Sequence, residues 1–176
     1  RLVQESKYGG LDELPRIILT LPSTFGAGVS PSIEAMLAMW EENLGVNIQL
    51  QQTEWGTFLQ DLHQNRFQMF GGLGWIADYP DPENFLDVLF HSKSNNNQSQ
   101  YTNFELDSLL EKARVEQDET LRFNIYHQAE EIIVEDAPWV PLWHSNGGSV
   151  LIKPNVNDYF LFPLIIPKYR YIYFTE

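Results

Sequence analysis

Between Arg16 and Leu73 the apolar residues change period four times, and this alternation limits the folds open to the chain. Arg16 to Leu21 (RIILTL) is a short β-branched run. Ser30-Pro31 then reads as a helix N-cap followed by proline at the first helical position. Ile33, Met36, Leu37, Trp40 and Leu44 follow at helical spacing, and Gly45 stops the helix. Val46, Ile48 and Leu50 alternate with polar residues, as a strand does. Trp55, Phe58, Leu59 and Leu62 form a second helical stripe, and Phe67 to Leu73 is a third strand. The order β-α-β-α-β predicts right-handed crossovers and a largely parallel sheet, hence an α/β fold with helices on a mixed, mostly parallel sheet.

That order puts residues 71–81 (GGLGWIADYPD) at the carboxyl end of the third strand, where open α/β sheets bind ligands. Gly71, Gly72 and Gly74 suit a close backbone approach that a β-carbon would block. Trp75 and Tyr79 offer apolar walls, and Asp78 offers a carboxylate. Asp78 has two readings at this point. It is either a ligand-facing carboxylate or a turn-capping aspartate before Tyr79-Pro80, bonded to its own backbone. Trp75 is either a pocket wall or a core tryptophan. Trp40, Trp55, Trp139 and Trp143 read as core.

Asp81-Pro82 reads as an N-cap and first-turn proline, opening a helix with Phe85, Leu86 and Leu89 on one side. Glu83 and Asp87 read as its solvated face. His91 to Gln100 is a polar loop. Thr102 and Glu105 suggest a capping box ahead of the stripe Leu106, Leu109, Leu110 and Ala113. Asp118 caps another helix, with Leu121, Ile125, Ala129, Ile132 and Ile133 inward, and Asp136-Ala137-Pro138 ends it. Trp139–Trp143 and Ser149–Lys153 read as strands. The remainder is rich in tyrosine and phenylalanine, including Tyr159, Phe160, Phe162, Tyr169, Tyr171, Tyr173 and Phe174. Such a tail makes best sense packed on something else.

The 176 residues suit one domain or one large lobe, and 43% hydrophobic content supplies a core. A net charge of −13 disfavours nucleic acid and anionic membranes. The absence of cysteine excludes disulfides and thiolate metal sites. His63, His91, His127 and His144 are scattered without a metal-binding pairing. No nucleophile elbow, P-loop or dinucleotide-binding glycine pattern is present, so no cofactor is indicated. Asp78, Asp81 and Glu83 lie too close in sequence to face each other across a cleft as glycosidase carboxylates do. The chain opens with Arg1 and shows no leader pattern, so it reads as part of a longer protein.

Three segments carry a resemblance that spans nearly the whole chain: Gly74–Phe85 (GWIADYPDPENF), Tyr101–Ala113 (YTNFELDSLLEKA) and Leu121–His144 (LRFNIYHQAEEIIVEDAPWVPLWH). In this order they resemble the C-terminal part of the bacterial extracellular solute-binding proteins of family 5, the oligopeptide, dipeptide and nickel receptors of ABC importers. The resemblance implies a periplasmic-binding-protein-like (type II) lobe over residues 1–152, and a tail over residues 153–176 that crosses back to a first lobe. It implies a non-enzymatic receptor outside the cytoplasmic membrane, periplasmic or lipid-anchored. Its partners would be a peptide or other small solute, an N-terminal lobe and membrane permease subunits.

For the site, the resemblance implies that Asp78 pairs with a peptide's α-amino group and that Trp75 lines a side-chain pocket. Backbone groups of Ile76 and Ala77 would pair with the peptide main chain, with Tyr79 beside them. Members that read a peptide's far end often carry a basic residue just before the tryptophan, where this chain has Gly71–Gly74, so recognition of a ligand carboxylate is not implied. Non-peptide ligands of related receptors (nickel chelates, opines, oligosaccharides) stay open. A carboxylate-based hydrolase of sugars or peptides is the alternative from a different class.

Overall fold

A computed structural model describes residues 1–23, 28–142, 150–160 and 169–175. The chain divides into two compact units, Arg1–Leu73 and Gly74–Glu176.

The first unit opens with a short helix, α1 (Leu2–Glu5). It then runs β1 (Ile17–Pro22), α2 (Pro31–Leu44), β2 (Ile48–Thr53), α3 (Trp55–His63) and β3 (Met69–Phe70). The three strands form a wholly parallel sheet in the order β2-β1-β3. This is the β-α-β-α-β reading of the sequence. Ser30 caps α2 by accepting from Ile33 N–H, and Gly45 ends it at φ +67°. The core lies between the central strand and α3, where Leu19, Leu21, Phe58 and Leu62 are buried. Phe58 stacks on Phe67 at 4.9 Å between ring centroids.

The third strand is shorter than its apolar run suggests. Gly71 N–H still donates to the Thr20 carbonyl at 3.1 Å. At Gly72 the backbone turns to φ +76°, which leaves the ladder, and a β-carbon there would sit 2.9 Å from Pro22 Cδ. Gly72 therefore meets both reasons for glycine, whereas a β-carbon on Gly74 would meet open space.

The second unit is built on three helices, α4 (Glu83–Phe90), α5 (Phe104–Val115) and α6 (Glu119–Asp136). Leu89, Phe90, Leu106, Leu110, Ala113, Tyr126, Ala129 and Ile133 make one buried cluster, with Trp75 packed against it. The stripes of α5 and α6 thus face inward largely as their spacing predicts, although Leu121 stays 54% exposed. Asp118 caps α6 through Leu121 N–H, and Ala137 ends it in the left-handed region. The cap of α5 is Asn103, which accepts from Glu105 and Leu106 N–H, and not Thr102. Among the described residues no helix is long and apolar enough to cross a membrane.

Several expectations need correction. Residues 139–142 and 150–153 are not strands; Trp143 and Ser149, on which those readings also rested, lie outside the described residues, as does the core reading of Trp143. Among the described residues the tail forms only a two-residue antiparallel pair, β4 (Val156–Asn157) with β5 (Tyr173–Phe174), beside a 3-10 turn at Tyr169–Tyr171. Trp55 and Trp139 are 47% and 37% exposed, and Trp40 is half-buried, so none is a core tryptophan. Each of the exposed two makes one aromatic contact: Trp55 stacks on Phe58, and Trp139 and Phe90 meet in a T-shaped arrangement.

One contact in the second unit carries a pH signature. The Tyr101 hydroxyl donates to Asp136, which also accepts from Asn103 Nδ2 at 2.8 Å. Partial burial, then the bond to Asp136, push the Tyr101 phenol up to about 12. The protonated phenol is the form the fold favours. This stability is complete below the unfolded tyrosine value of about 10 and is lost as pH rises through the folded value. We expect Tyr101→Phe to flatten the fall in stability between about pH 10 and 12, measured as urea midpoints at stepped pH. An unchanged slope would remove Tyr101 as its source.

Candidate functional site

The candidate segment Trp75–Tyr79 belongs to the second unit and precedes α4 without forming a strand or helix. Asp81 holds the start of α4: its Oδ1 accepts from Glu83 N–H at 2.9 Å, and its main-chain carbonyl accepts from Asn84 N–H at 3.2 Å. The same carboxylate takes two bonds from Arg122 at 2.7 and 2.8 Å. This guanidinium pairing holds Asp81 below the usual carboxylate range. The N-cap position of α4 falls on Pro82, one residue later than the sequence suggests, and Asp81 just before it ties the entry of α4 to α6.

Asn84, on the first turn of α4, is 2% exposed and gathers the segment. Its Oδ1 accepts from Trp75 Nε1–H and from Asp78 N–H, each at 3.1 Å. Sequence reasoning passed over Asn84. A polar residue on the inward side of a short helix, one turn after a proline, was the available signal. A buried amide is costly unless bonded, so it commonly marks a built contact.

Trp75 is half-buried, with its indole N–H held by Asn84 and its ring against the helical cluster. The core reading of this residue is met in part. Ile76 is 54% exposed and Tyr79 is 42% exposed. Ala77 is half-buried and Asp78 exposed. Among the described residues, the Asp78 carboxylate oxygens take part in no hydrogen bond or ion pair, so the turn-capping bond is not formed. The main-chain N–H and C=O of Ile76 and Ala77 likewise carry no intrachain hydrogen bond among the described residues. Tyr79 donates its hydroxyl to Glu83, and this bond pushes the phenol above its ordinary value. The segment thus presents an unpaired carboxylate, an unpaired stretch of main chain and aromatic surface side by side.

Asp87 overturns its surface reading. It is 4% exposed and accepts from Arg114 Nε and Nη2 at 2.6 and 2.7 Å. Beside it lies a hollow of about 350 Å³ lined in part by His91, Lys93 and Glu111. His91 is buried, its Nδ1 accepts from Lys93 N–H at 3.1 Å, and its Nε2 lies 3.5 Å from Glu111. The Nδ1 lone pair is thus already engaged by the main chain. Among the described residues no group of three His, Cys, Asp or Glu could hold a metal.

Comparison with known proteins places the chain in a family. The chain is 36% identical over 125 residues to the periplasmic oligopeptide-binding protein OppA of Salmonella typhimurium, covering 71% of this chain and 22% of that protein. It is 34% identical over 110 residues to the oligopeptide-binding protein OppA of Bacillus subtilis, covering 62% of this chain and 20% of that one. Among solved structures it matches the periplasmic binding protein DppA from Helicobacter pylori in complex with the peptide STSA. There the identity is 31% and the TM-score 0.62, over 72% of this chain and 25% of that chain. The chain therefore spans about a fifth of the length of the curated relatives it matches. The family model for bacterial extracellular solute-binding proteins, family 5 (middle), matches residues 1–97, more than half of the chain. The family is one of binding proteins, and this chain belongs to the bacterial extracellular solute-binding proteins of family 5.

Proposed function

We propose that this chain forms much of the second ligand-binding lobe of a two-lobe receptor, which captures peptides outside the cytoplasmic membrane for an ABC importer. Residues 1–152 would belong to that lobe, and residues 153–176 would cross to the first. Exposed Phe160, Tyr169, Tyr171, Tyr173 and Phe174 support a tail made to pack on another surface. The periplasmic relatives support an extracytoplasmic location.

The observation that carries the reading is the Asp78 carboxylate, unpaired among the described residues, beside the main chain of Ile76 and Ala77, likewise unpaired among them. A peptide's ammonium is costly to enclose without a counter-charge, and Asp78 supplies one. Strand-like pairing to Ile76 and Ala77 binds the ligand's backbone whatever its side chains. Trp75 and Tyr79 add apolar walls. Closure of the two lobes would exclude water and strengthen the ammonium–carboxylate pair. No catalytic role is assigned: of the neighbouring carboxylates, Asp81 is held by Arg122 and Glu83 by Tyr79, which leaves Asp78 without a free partner.

Calorimetry on the intact receptor, with one peptide in free-amine and N-acetylated forms, tests this. Asp78→Asn should weaken the free-amine form about tenfold and leave the acetylated form nearly unchanged. Equal weakening of both would remove the ammonium from the reading. The chain alone, offering half a cleft, should bind the same peptide weakly or not at all. Tight binding by the chain alone would contradict the two-lobe mechanism.

A further inference from the structure

We infer that Asn84 is a positioning residue for ligand recognition: a buried latch that fixes both the tryptophan wall and the main chain offered to the ligand. This rests on the receptor reading above. One oxygen, Asn84 Oδ1, receives two donors from different parts of the segment, the Trp75 indole and the Asp78 amide, each at 3.1 Å. A side chain needed only to satisfy the first turn of α4 would bond that turn's own N–H groups. Asp81 already bonds Glu83 N–H there.

The geometric consequence follows from peptide planarity. All peptide bonds among the described residues are trans. In a trans peptide the N–H and the preceding C=O point in opposite directions. Turning Asp78 N–H onto Asn84 therefore turns the Ala77 carbonyl away from it, and that carbonyl has no intrachain partner among the described residues. The latch thus sets the carbonyl's direction and the position of the Asp78 Cα, from which the carboxylate projects, together. The second bond holds the indole plane of Trp75. Three proposed ligand contacts are oriented by one amide that need not touch the ligand.

The test uses the intact receptor and the same peptide in free-amine and N-acetylated forms. Asn84→Leu keeps the side chain's bulk and removes the acceptor, and Asn84→Ser, too short to reach both donors, serves if leucine is not accommodated. Either should lower the preference for the free-amine form by about tenfold, as Asp78→Asn does. Either should also move the Trp75 indole N–H resonance, assigned through Trp75→Phe, to a non-bonded position. Asn84→Asp keeps an acceptor for both donors and should retain the preference and the bonded resonance. Equal loss for both peptide forms, or an unmoved indole resonance, would overturn the latch. Should Asp78→Asn leave the preference intact, the ammonium is removed from the receptor reading by itself, and the indole resonance still decides whether Asn84 is the latch.

Discussion

Replacing Arg122 with methionine should destabilise the second unit by about 2–4 kcal/mol, measured by urea denaturation of the chain followed by helical circular dichroism. Arg122 makes four hydrogen bonds in three directions. Its Nη1 and Nη2 take both Asp81 oxygens, its Nε donates to the Ala113 carbonyl at 3.0 Å, and its Nη2 also meets the Tyr126 hydroxyl at 3.0 Å. The Ala113 carbonyl is one of the last four of α5 and has no helical N–H to accept from. Methionine would leave that carbonyl and the Asp81 carboxylate without these donors. The estimate is held below that for a fully buried pair because both side chains remain about a quarter exposed. Arg122→Lys should recover less than half, since an ammonium cannot reproduce a two-pronged grip and a third donor in another direction. The pair also sets an acid limit. Arg122 depresses the Asp81 carboxyl in the folded state. Its stabilisation is therefore present above the unfolded aspartate value of about 4 and lost as pH falls through the lower folded value. Arg122→Met should abolish this part of the acid sensitivity. A variant as stable as the parent at neutral pH would show that the clamp is decorative.

What was legible in the sequence was what periodicity and caps encode locally. The three parallel strands, the glycine stop at Gly45 and the caps Ser30 and Asp118 all follow from neighbours within a turn or a strand. Errors came where a long-range partner decides the outcome. Asp87 looks like a solvated helix residue because sequence spacing does not show Arg114 twenty-seven residues away. Asp81 looks like a cap because Arg122 lies forty-one residues further on. The aromatic run at Trp139 looks like a strand by composition, yet Trp139 packs edge-on against Phe90 and forms no ladder. The polar stretch from His91 to Gln100 reads as featureless, but Asn97 accepts from Ser99 and Tyr101 and donates to the Tyr101 carbonyl at 2.7 Å, organising the loop. The candidate segment was found from its residue types. Asn84 was missed because asparagine near a helix start is so common there that its burial is invisible without coordinates.

Arg114→Met should also destabilise by about 2–4 kcal/mol, and the companion double variant makes the cause testable. Asp87 is buried on α4 while Arg114 on α5 keeps 46% of its side chain exposed, so the burden of burial falls on the carboxylate. Removing the guanidinium leaves a carboxylate that is only 4% exposed without its paired donor, beside the hollow lined in part by His91, Lys93 and Glu111. The carboxylate must then take up a proton or draw water into the packing, and both are costly. Adding Asp87→Leu to Arg114→Met removes that charge and fills part of its volume with apolar atoms. The double variant should regain at least half of the loss. Urea midpoints of the parent, both single variants and the double variant, read in one buffer at neutral pH, give the coupling directly. If the double variant is no more stable than Arg114→Met alone, the penalty comes from lost packing of the arginine stem rather than from an unpaired carboxylate. The α4–α5 contact would then be held by its apolar residues alone, with Asp87 a passenger on the helix.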